Sequence, residues 1–103
     1  MDKVKVLVLG LGNFGHSWAV SVLPACSDFA ILAGVVDRQK ETWKGIAQDV
    51  PKFEVLESAL DQTKPDLVIN VTPPALHYEL TAMLLRKNFW RMLRFIISIL
   101  RGI

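Results

Sequence analysis

The sequence predicts an α/β protein with a doubly wound parallel sheet in a single domain. Four short apolar segments alternate with more polar, helix-like segments along the 103 residues. This alternation is typical of parallel strands joined by right-handed crossovers, with helices on both faces of the sheet. A chain of this length can bury one hydrophobic core but hardly two. We therefore expect one sheet with the strand order 3-2-1-4.

The first apolar segment, Val4 to Leu9, is nearly continuous and predicts a strand buried on both faces. After it, Phe14, Trp18 and Val22 recur every four residues, as expected of a helix face that packs on the sheet. Pro24 marks the predicted end of this helix.

The remaining elements are assigned from the same periodicities and from the prolines that interrupt them. In the first of the later helices, Trp43, Ile46 and Ala47 are expected to face the sheet. Strands are expected at Ala30–Val36, Phe53–Val55 and Leu67–Val71, and helices at Gln39–Gln48, Glu57–Asp61 and Ala75–Lys87.

The turn after the first strand has the pattern G-x-G-x-x-G, formed by Gly10, Gly12 and Gly15 with Asn13 and Phe14 between the last two glycines. In this context the first glycine permits a tight turn, the second lets backbone amides approach a pyrophosphate, and the third lets the helix pack closely. The helix N-terminus then offers unpaired N–H groups to the phosphates. The alternative is an ordinary strand-to-helix turn that binds nothing.

Asp37 follows the second predicted strand and lies 22 residues after Gly15, where a dinucleotide fold places the acid that binds the adenosine ribose. A carboxylate there repels a 2′-phosphate and so favours NAD over NADP. Arg38 leaves NADP open, because its guanidinium can pair with a 2′-phosphate if Asp37 turns away. Alternatively, Asp37 and Arg38 simply begin a solvated helix, with Asp37 as its N-cap.

Thr72, Pro73 and Pro74 end the fourth predicted strand at the same edge of the sheet as the glycine turn. A rigid loop at this position can form a wall of the cofactor crevice. The same residues can also start the next helix, with the prolines fixing its first turn. The two interpretations are compatible.

With these three segments, the chain resembles the amino-terminal domain of the Gfo/Idh/MocA oxidoreductases over residues 3 to 87. The most specific part of the resemblance runs from Asp66 through Asn70 and the Thr72-Pro73-Pro74 loop to His77. The resemblance implies a Rossmann-like fold and NAD(P)-dependent redox chemistry on a sugar, cyclitol or related alcohol. It also implies that His77 lies near the nicotinamide, although a lone histidine can equally be a polar residue on an exposed helix. His16 has no such counterpart and is expected to be solvated.

After Lys87 the sequence departs from the family, whose members continue with a fifth strand and a Glu-Lys-Pro segment with a catalytically important lysine. Residues 88–103 contain no such segment. We therefore expect a dinucleotide-binding domain over 1–87 and a divergent tail over 88–103, as in a truncated or frame-shifted product. No catalytic residue is assigned, and the chain by itself is expected to be catalytically incomplete.

The tail differs from the rest of the chain in its charge. Residues 1–85 carry seven Lys/Arg and ten Asp/Glu, whereas residues 86–103 carry five Lys/Arg and no acid. A basic amphipathic helix is the favoured structure, and a strand over Phe95–Leu100 beside the fourth strand is the alternative. Self-association through the tail or the open sheet edge is expected, and membrane contact is the less favoured alternative. Five charges without a recognised binding fold do not indicate nucleic acid.

Cys26 is the single cysteine, which excludes an internal disulfide and a cysteine-based zinc site and favours a cytoplasmic protein. No metal site is expected. Three functions remain open from the sequence. The chain is an NAD(P)-binding part of an oxidoreductase, a non-catalytic dinucleotide sensor or interaction module that uses its tail, or a remnant without function.

Overall fold

The computed structural model describes residues 3–86 and 95–98, which form a parallel sheet of five strands in the order β3-β2-β1-β4-β5. The predicted order 3-2-1-4 of the first four strands is confirmed. The strands are β1 (Val4–Leu9), β2 (Ala30–Val36), β3 (Lys52–Phe53), β4 (Leu67–Asn70) and β5 (Phe95–Ser98). The helices are α1 (Asn13–Ser17), α2 (Leu23–Ala25), α3 (Leu56–Thr63) and α4 (Pro74–Arg86), with a π-helical turn at Trp18–Val22 and a 3-10 helix at Lys40–Trp43.

The core lies on both faces of β1, whose residues from Val6 to Leu9 are at most 3% exposed. Leu7 and Leu9 pack with α3 and with Leu80 of α4 on one face, and Val6 and Val8 pack with the first helical segment on the other. Because successive side chains of a strand point to opposite faces, a strand covered on both sides must be apolar throughout. The prediction from the continuous apolar run is therefore confirmed.

Of the predicted face of the first helical segment, Trp18 packs against the core as expected, but Val22 does not. The π-helical turn separates α1 from α2, and the Leu23 N–H bonds to the Trp18 carbonyl five residues earlier. The residue one turn after Trp18 is therefore Leu23, which is buried, and Val22 is exposed. Pro24, which cannot donate the N–H of a regular helix, follows this wide turn, and α2 ends one residue later at Ala25.

The predicted helix over Gln39–Gln48 is wrong, because only the 3-10 helix at Lys40–Trp43 forms there. The chain leaves the helical conformation at Lys44 and takes a left-handed one at Gly45 (φ 87°). Ile46 is buried and Trp43 packs beside it, as expected, but Ala47 is exposed. The next strand, β3, begins one residue earlier and ends two residues earlier than predicted, and α3 is longer than predicted.

The preferred helical interpretation of the tail is wrong at Phe95–Ser98, which forms β5. This strand pairs in parallel with β4, from Leu67 opposite Phe95 to Asn70 opposite Ser98. The pairing covers an edge of β4 whose backbone groups would otherwise lack partners. The remainder of the tail, 87–94 and 99–103, lies outside the described residues. Within the described part, the helices are too short or too polar to span a membrane.

Two glycines of the same turn are expected to respond differently to substitution by alanine. A Cβ at Gly15 would overlap the Gly10 carbonyl oxygen, whereas a Cβ at Gly12 would have none of the described atoms within 4 Å apart from its chain neighbours. Gly15→Ala should therefore lower the free energy of unfolding by about 2–3 kcal/mol through overpacking. Gly12→Ala should change it by no more than about 0.5 kcal/mol.

Urea denaturation followed by far-UV circular dichroism compares the two variants with the parent chain. Equal losses of stability in both variants would show that the close contact at Gly15 does not hold the turn.

Candidate functional site

The glycine turn is fixed at the end of β2 by two hydrogen bonds, one to a backbone carbonyl and one to a side-chain carboxylate. The Gly10 N–H donates to the Val36 carbonyl at 2.9 Å, and the Leu11 N–H donates to Asp37 Oδ2 at 2.8 Å. Gly10 has a φ of 97°, a left-handed conformation that disfavours other residues. The turn therefore leaves β1 and lies against the carboxyl end of its neighbour.

The three glycines serve different purposes in the structure. A Cβ at Gly10 would lie 3.0 Å from the Thr72 backbone, and one at Gly15 would lie 2.8 Å from Val71 Cγ2 as well as overlapping the turn. These two glycines allow backbone segments to meet. Gly12 is exposed, and a Cβ there would face open space above the turn, which we call the hollow. In the glycine turn of a dinucleotide site, a pyrophosphate approaches the backbone at this glycine.

The hollow borders the first backbone amides of the helical segment 13–25. The Gly12 carbonyl accepts the first helical bond, from the His16 N–H at 2.8 Å. The amides before His16 have no carbonyl one turn earlier within the helix, as at every helix start. Asn13 is exposed at this end. Backbone donors and the helix dipole thus favour an anion beside Gly12.

Asp37 lies immediately after β2 and faces the glycine turn. Its Oδ2 accepts from the Leu11 N–H, and its Oδ1 accepts from the Gln39 N–H at 2.8 Å. The second bond is an Asx turn, so Asp37 does not act as the helix N-cap that the alternative interpretation required. A carboxylate oxygen can accept more than one hydrogen bond, so both oxygens retain capacity for a further hydroxyl donor. Arg38 is exposed next to it.

The loop after β4 closes the other side of the crevice. The Val71 N–H donates to the Leu9 carbonyl at 2.9 Å, which places the following residue beside Gly10. Thr72 is buried and its hydroxyl donates to Asn70 Oδ1 at 2.7 Å, so the side chain points inward rather than capping α4. Pro73 is exposed, and its carbonyl accepts the Leu76 N–H as α4 begins.

Asn70 was not among the residues predicted for the site, yet it is fully buried behind this loop. Its Oδ1 also accepts the Thr72 N–H at 3.2 Å, and its Nδ2 donates to Thr81 Oγ1 at 2.8 Å. One feature of the sequence points to it: an amide at the end of an otherwise apolar strand must find partners inside the protein. The sequence does not show which partners these are.

The other predicted site residues are placed only in part. The backbone of Phe14 belongs to α1, and the backbones of Pro74 and His77 belong to α4, but their side chains lie outside the described part. His16 is half-buried rather than solvated, because its Nε2 lies 2.6 Å from the Lys44 carbonyl oxygen. Among the described residues, no group of three His, Cys, Asp or Glu could hold a metal ion.

Solved structures of dehydrogenases share this fold. The WlbA dehydrogenase from Bordetella pertussis, in complex with NADH and UDP-GlcNAcA, has a TM-score of 0.76 at 19% identity over 94% of this chain. GenD2 from gentamicin A biosynthesis, in complex with NAD, has a TM-score of 0.75 at 25% identity over 95% of this chain. A dehydrogenase from Chromobacterium violaceum has a TM-score of 0.66 at 20% identity over 84% of this chain.

The matches span only 28%, 27% and 26% of those three chains, in the same order. No curated protein matches this sequence. The family model of the Gfo/Idh/MocA oxidoreductases, described as an oxidoreductase family with an NAD-binding Rossmann fold, matches residues 4–92. The glycine turn, the acid after β2 and the loop after β4 all lie within that range, and the chain belongs to the Gfo/Idh/MocA oxidoreductase family as its NAD-binding Rossmann domain.

Proposed function

We propose that this chain binds NAD across the carboxyl edge of β1, β2 and β4. The pyrophosphate lies against Gly12 and the first amides of the segment 13–25, and the adenosine ribose lies at Asp37. The observation that supports this most directly is the position of the Asp37 carboxylate, 2.8 Å from the Leu11 N–H beside the open face of Gly12. The carboxylate and the open space at Gly12 thus belong to the same turn, which supports a ribose and a pyrophosphate bound side by side.

The residues present fit a dinucleotide in charge and in shape. The hollow offers backbone donors to an anion, and the carboxylate offers acceptors to hydroxyl groups. In this proposal Thr72 and Pro73 form the opposite wall, and His77 lies towards the nicotinamide, as the resemblance to the family suggests. The bound cofactor supplies a hydride acceptor, and the chain supplies its binding and orientation.

NAD rather than NADP is the proposed cofactor. A 2′-phosphate would meet the Asp37 carboxylate, and turning that side chain away would break its bonds to the Leu11 and Gln39 amides. Hydrogen bonds to a charged group contribute about 1.5–3 kcal/mol each, which makes the rotation costly. Arg38 is exposed and available to a 2′-phosphate only after that rotation.

The proposed reaction class is oxidation or reduction of a sugar, cyclitol or related alcohol. Membership of the family supports it, as do the UDP-GlcNAcA bound to one solved structure and the gentamicin pathway of another. Hydride transfer needs an alcohol held against the nicotinamide and a group that takes its proton. The 103 residues contain no Glu-Lys-Pro segment, so we propose that they bind cofactor without completing this reaction.

Cofactor binding is tested by replacing the glycine that faces the hollow. Gly12→Ala should weaken NAD binding by at least about tenfold, because the new methyl group occupies the pyrophosphate position. Isothermal titration calorimetry measures the dissociation constant for the parent chain, the variant and Ser27→Ala, an exposed control. Parent chain that shows no NAD binding at millimolar concentrations would refute the proposed function.

Cofactor preference is tested at the acid. Asp37→Asn removes the charge and presents an amide N–H to one of the two backbone donors, so NAD affinity should fall by about tenfold. The ratio of NADP to NAD affinity should rise, because the repulsion of a 2′-phosphate is gone. Titrations with both cofactors measure the ratio, with Asp61→Asn on the exposed side of α3 as control. An unchanged ratio would contradict a role for Asp37 in selectivity.

Turnover separates cofactor binding from complete catalysis. The purified chain is expected to form no NADH from NAD and a polyol or nucleotide sugar, although it binds NAD. Absorbance at the NADH band over several hours measures this. Sustained NADH formation that Gly12→Ala abolishes would show that these residues suffice for the reaction.

A further inference from the structure

We propose that Asn70 is a positioning residue for the cofactor crevice, and that Thr81 on α4 sets NAD affinity through it. This inference rests on the proposed NAD binding. Neither side chain belongs to the set expected to touch the cofactor. Both act on the Thr72 backbone, which forms one wall of the crevice.

Both the oxygen and the nitrogen of the Asn70 carboxamide form hydrogen bonds. Its Oδ1 accepts from the Thr72 N–H at 3.2 Å and from the Thr72 hydroxyl at 2.7 Å. Its Nδ2 donates to Thr81 Oγ1 at 2.8 Å. Asn70 is fully buried, so no water is available to replace a lost partner at low cost.

These bonds hold Thr72 from one side, and Gly10 limits it from the other. The space at Gly10 is so narrow that a Cβ there would lie 3.0 Å from both Cα and N of Thr72. The loop therefore cannot move towards the glycine turn, and the Asn70 carboxamide prevents it from moving away. The contact with Gly10 and the hydrogen bonds to Asn70 together fix the distance between the Thr72 loop and the glycine turn.

Thr81 holds the nitrogen end of the carboxamide. The terminal torsion of asparagine is broad, so packing alone does not fix the orientation of its oxygen and nitrogen. With the Thr81 hydroxyl as acceptor, the nitrogen faces α4 and the oxygen faces Thr72. Loss of this bond removes one of the contacts that hold the carboxamide in that orientation, and so weakens its hold on Thr72. Position 77 lies one helical turn before Thr81 on the same helix, so this bond also ties that part of α4 to the sheet.

The direct variant, Asn70→Ala, leaves a cavity in the core and can prevent folding, so the main test uses Thr81. Thr81→Val keeps the shape and removes the hydroxyl, and Thr81→Ser keeps the hydroxyl. Thr63→Val is the matched control, because this half-buried threonine of α3 lies away from the crevice, where its hydroxyl donates to the Ala59 carbonyl at 2.7 Å.

The dissociation constant for NAD is measured by calorimetry for each full chain, at a temperature where all are folded by circular dichroism. Thr81→Val should raise it by about tenfold, while Thr81→Ser and Thr63→Val stay within about twofold of the parent. Amide hydrogen exchange without NAD should show faster exchange at Thr72 in Thr81→Val only.

If the parent chain binds NAD and Thr81→Val binds it with the same affinity, the positioning role is overturned, whereas the proposed function is not affected. Parent-like exchange at Thr72 in Thr81→Val overturns the positioning role as well, independently of NAD. A parent chain that does not bind NAD refutes the proposed function, and the positioning role with it. Equal losses of affinity in Thr81→Val and Thr63→Val would show a general loss of packing and would also overturn the proposal.

Discussion

The site depends on the close approach of three backbone segments at the carboxyl edge of the sheet. Gly15 lies against the Gly10 carbonyl, and Gly10 lies against Thr72, at distances that leave no room for a side chain. Parallel strands bring their carboxyl ends to one edge, but they do not by themselves bring the following loops into contact. The absent side chains at Gly10 and Gly15 permit that contact. Gly12, by contrast, is open, so the same turn combines tight packing below with free space above.

Two hydrogen bonds to the carboxyl end of β2 then hold the glycine turn in this packed position. The carboxylate of Asp37 bonds to the Leu11 amide, and the Gly10 amide bonds to the last residue of β2. In the proposed NAD complex, an acid held in this way would need little reorganisation to bind the ribose, which would reduce the entropic cost of binding. The arrangement also gives Asp37 a structural role in holding the turn. Its contribution to stability and its proposed contribution to affinity come from the same two oxygens.

Sequence patterns predicted the strands and helices in which burial, and therefore the apolar pattern, is regular along the element. The predictions were wrong where one contact between residues distant in sequence determines the local structure. The bounds of β2 were predicted correctly because the apolar run from Ala30 to Val36 coincides with the strand, although Ile31 within it is exposed. The segment 39–48 has a helical pattern, but the left-handed Gly45 and the bond from His16 to Lys44 hold it in turns. The sequence of Phe95–Ser98 is compatible with a helix or a strand. It forms a strand because it pairs with the edge of β4, which would otherwise be uncovered. The contact between Asp37 and the glycine turn could be predicted from the 22-residue spacing typical of dinucleotide folds. The spacing of Asn70 and Thr81 in the sequence does not predict the hydrogen bond between them.

The buried amide at the end of β4 shows why a polar residue can be retained in a strand that is otherwise apolar. An apolar residue at position 70 would pack as well against the core around Val68, and it would avoid the cost of desolvating an amide. It would, however, leave the Thr72 amide and hydroxyl without their acceptor at a point where the loop must stay within a narrow distance of Gly10. Hydrophobic contact is non-directional and cannot set that distance, whereas two hydrogen bonds to one oxygen can. Asn70 therefore gives the loop a defined position, which the proposed cofactor crevice would require and a hydrophobic core alone does not provide.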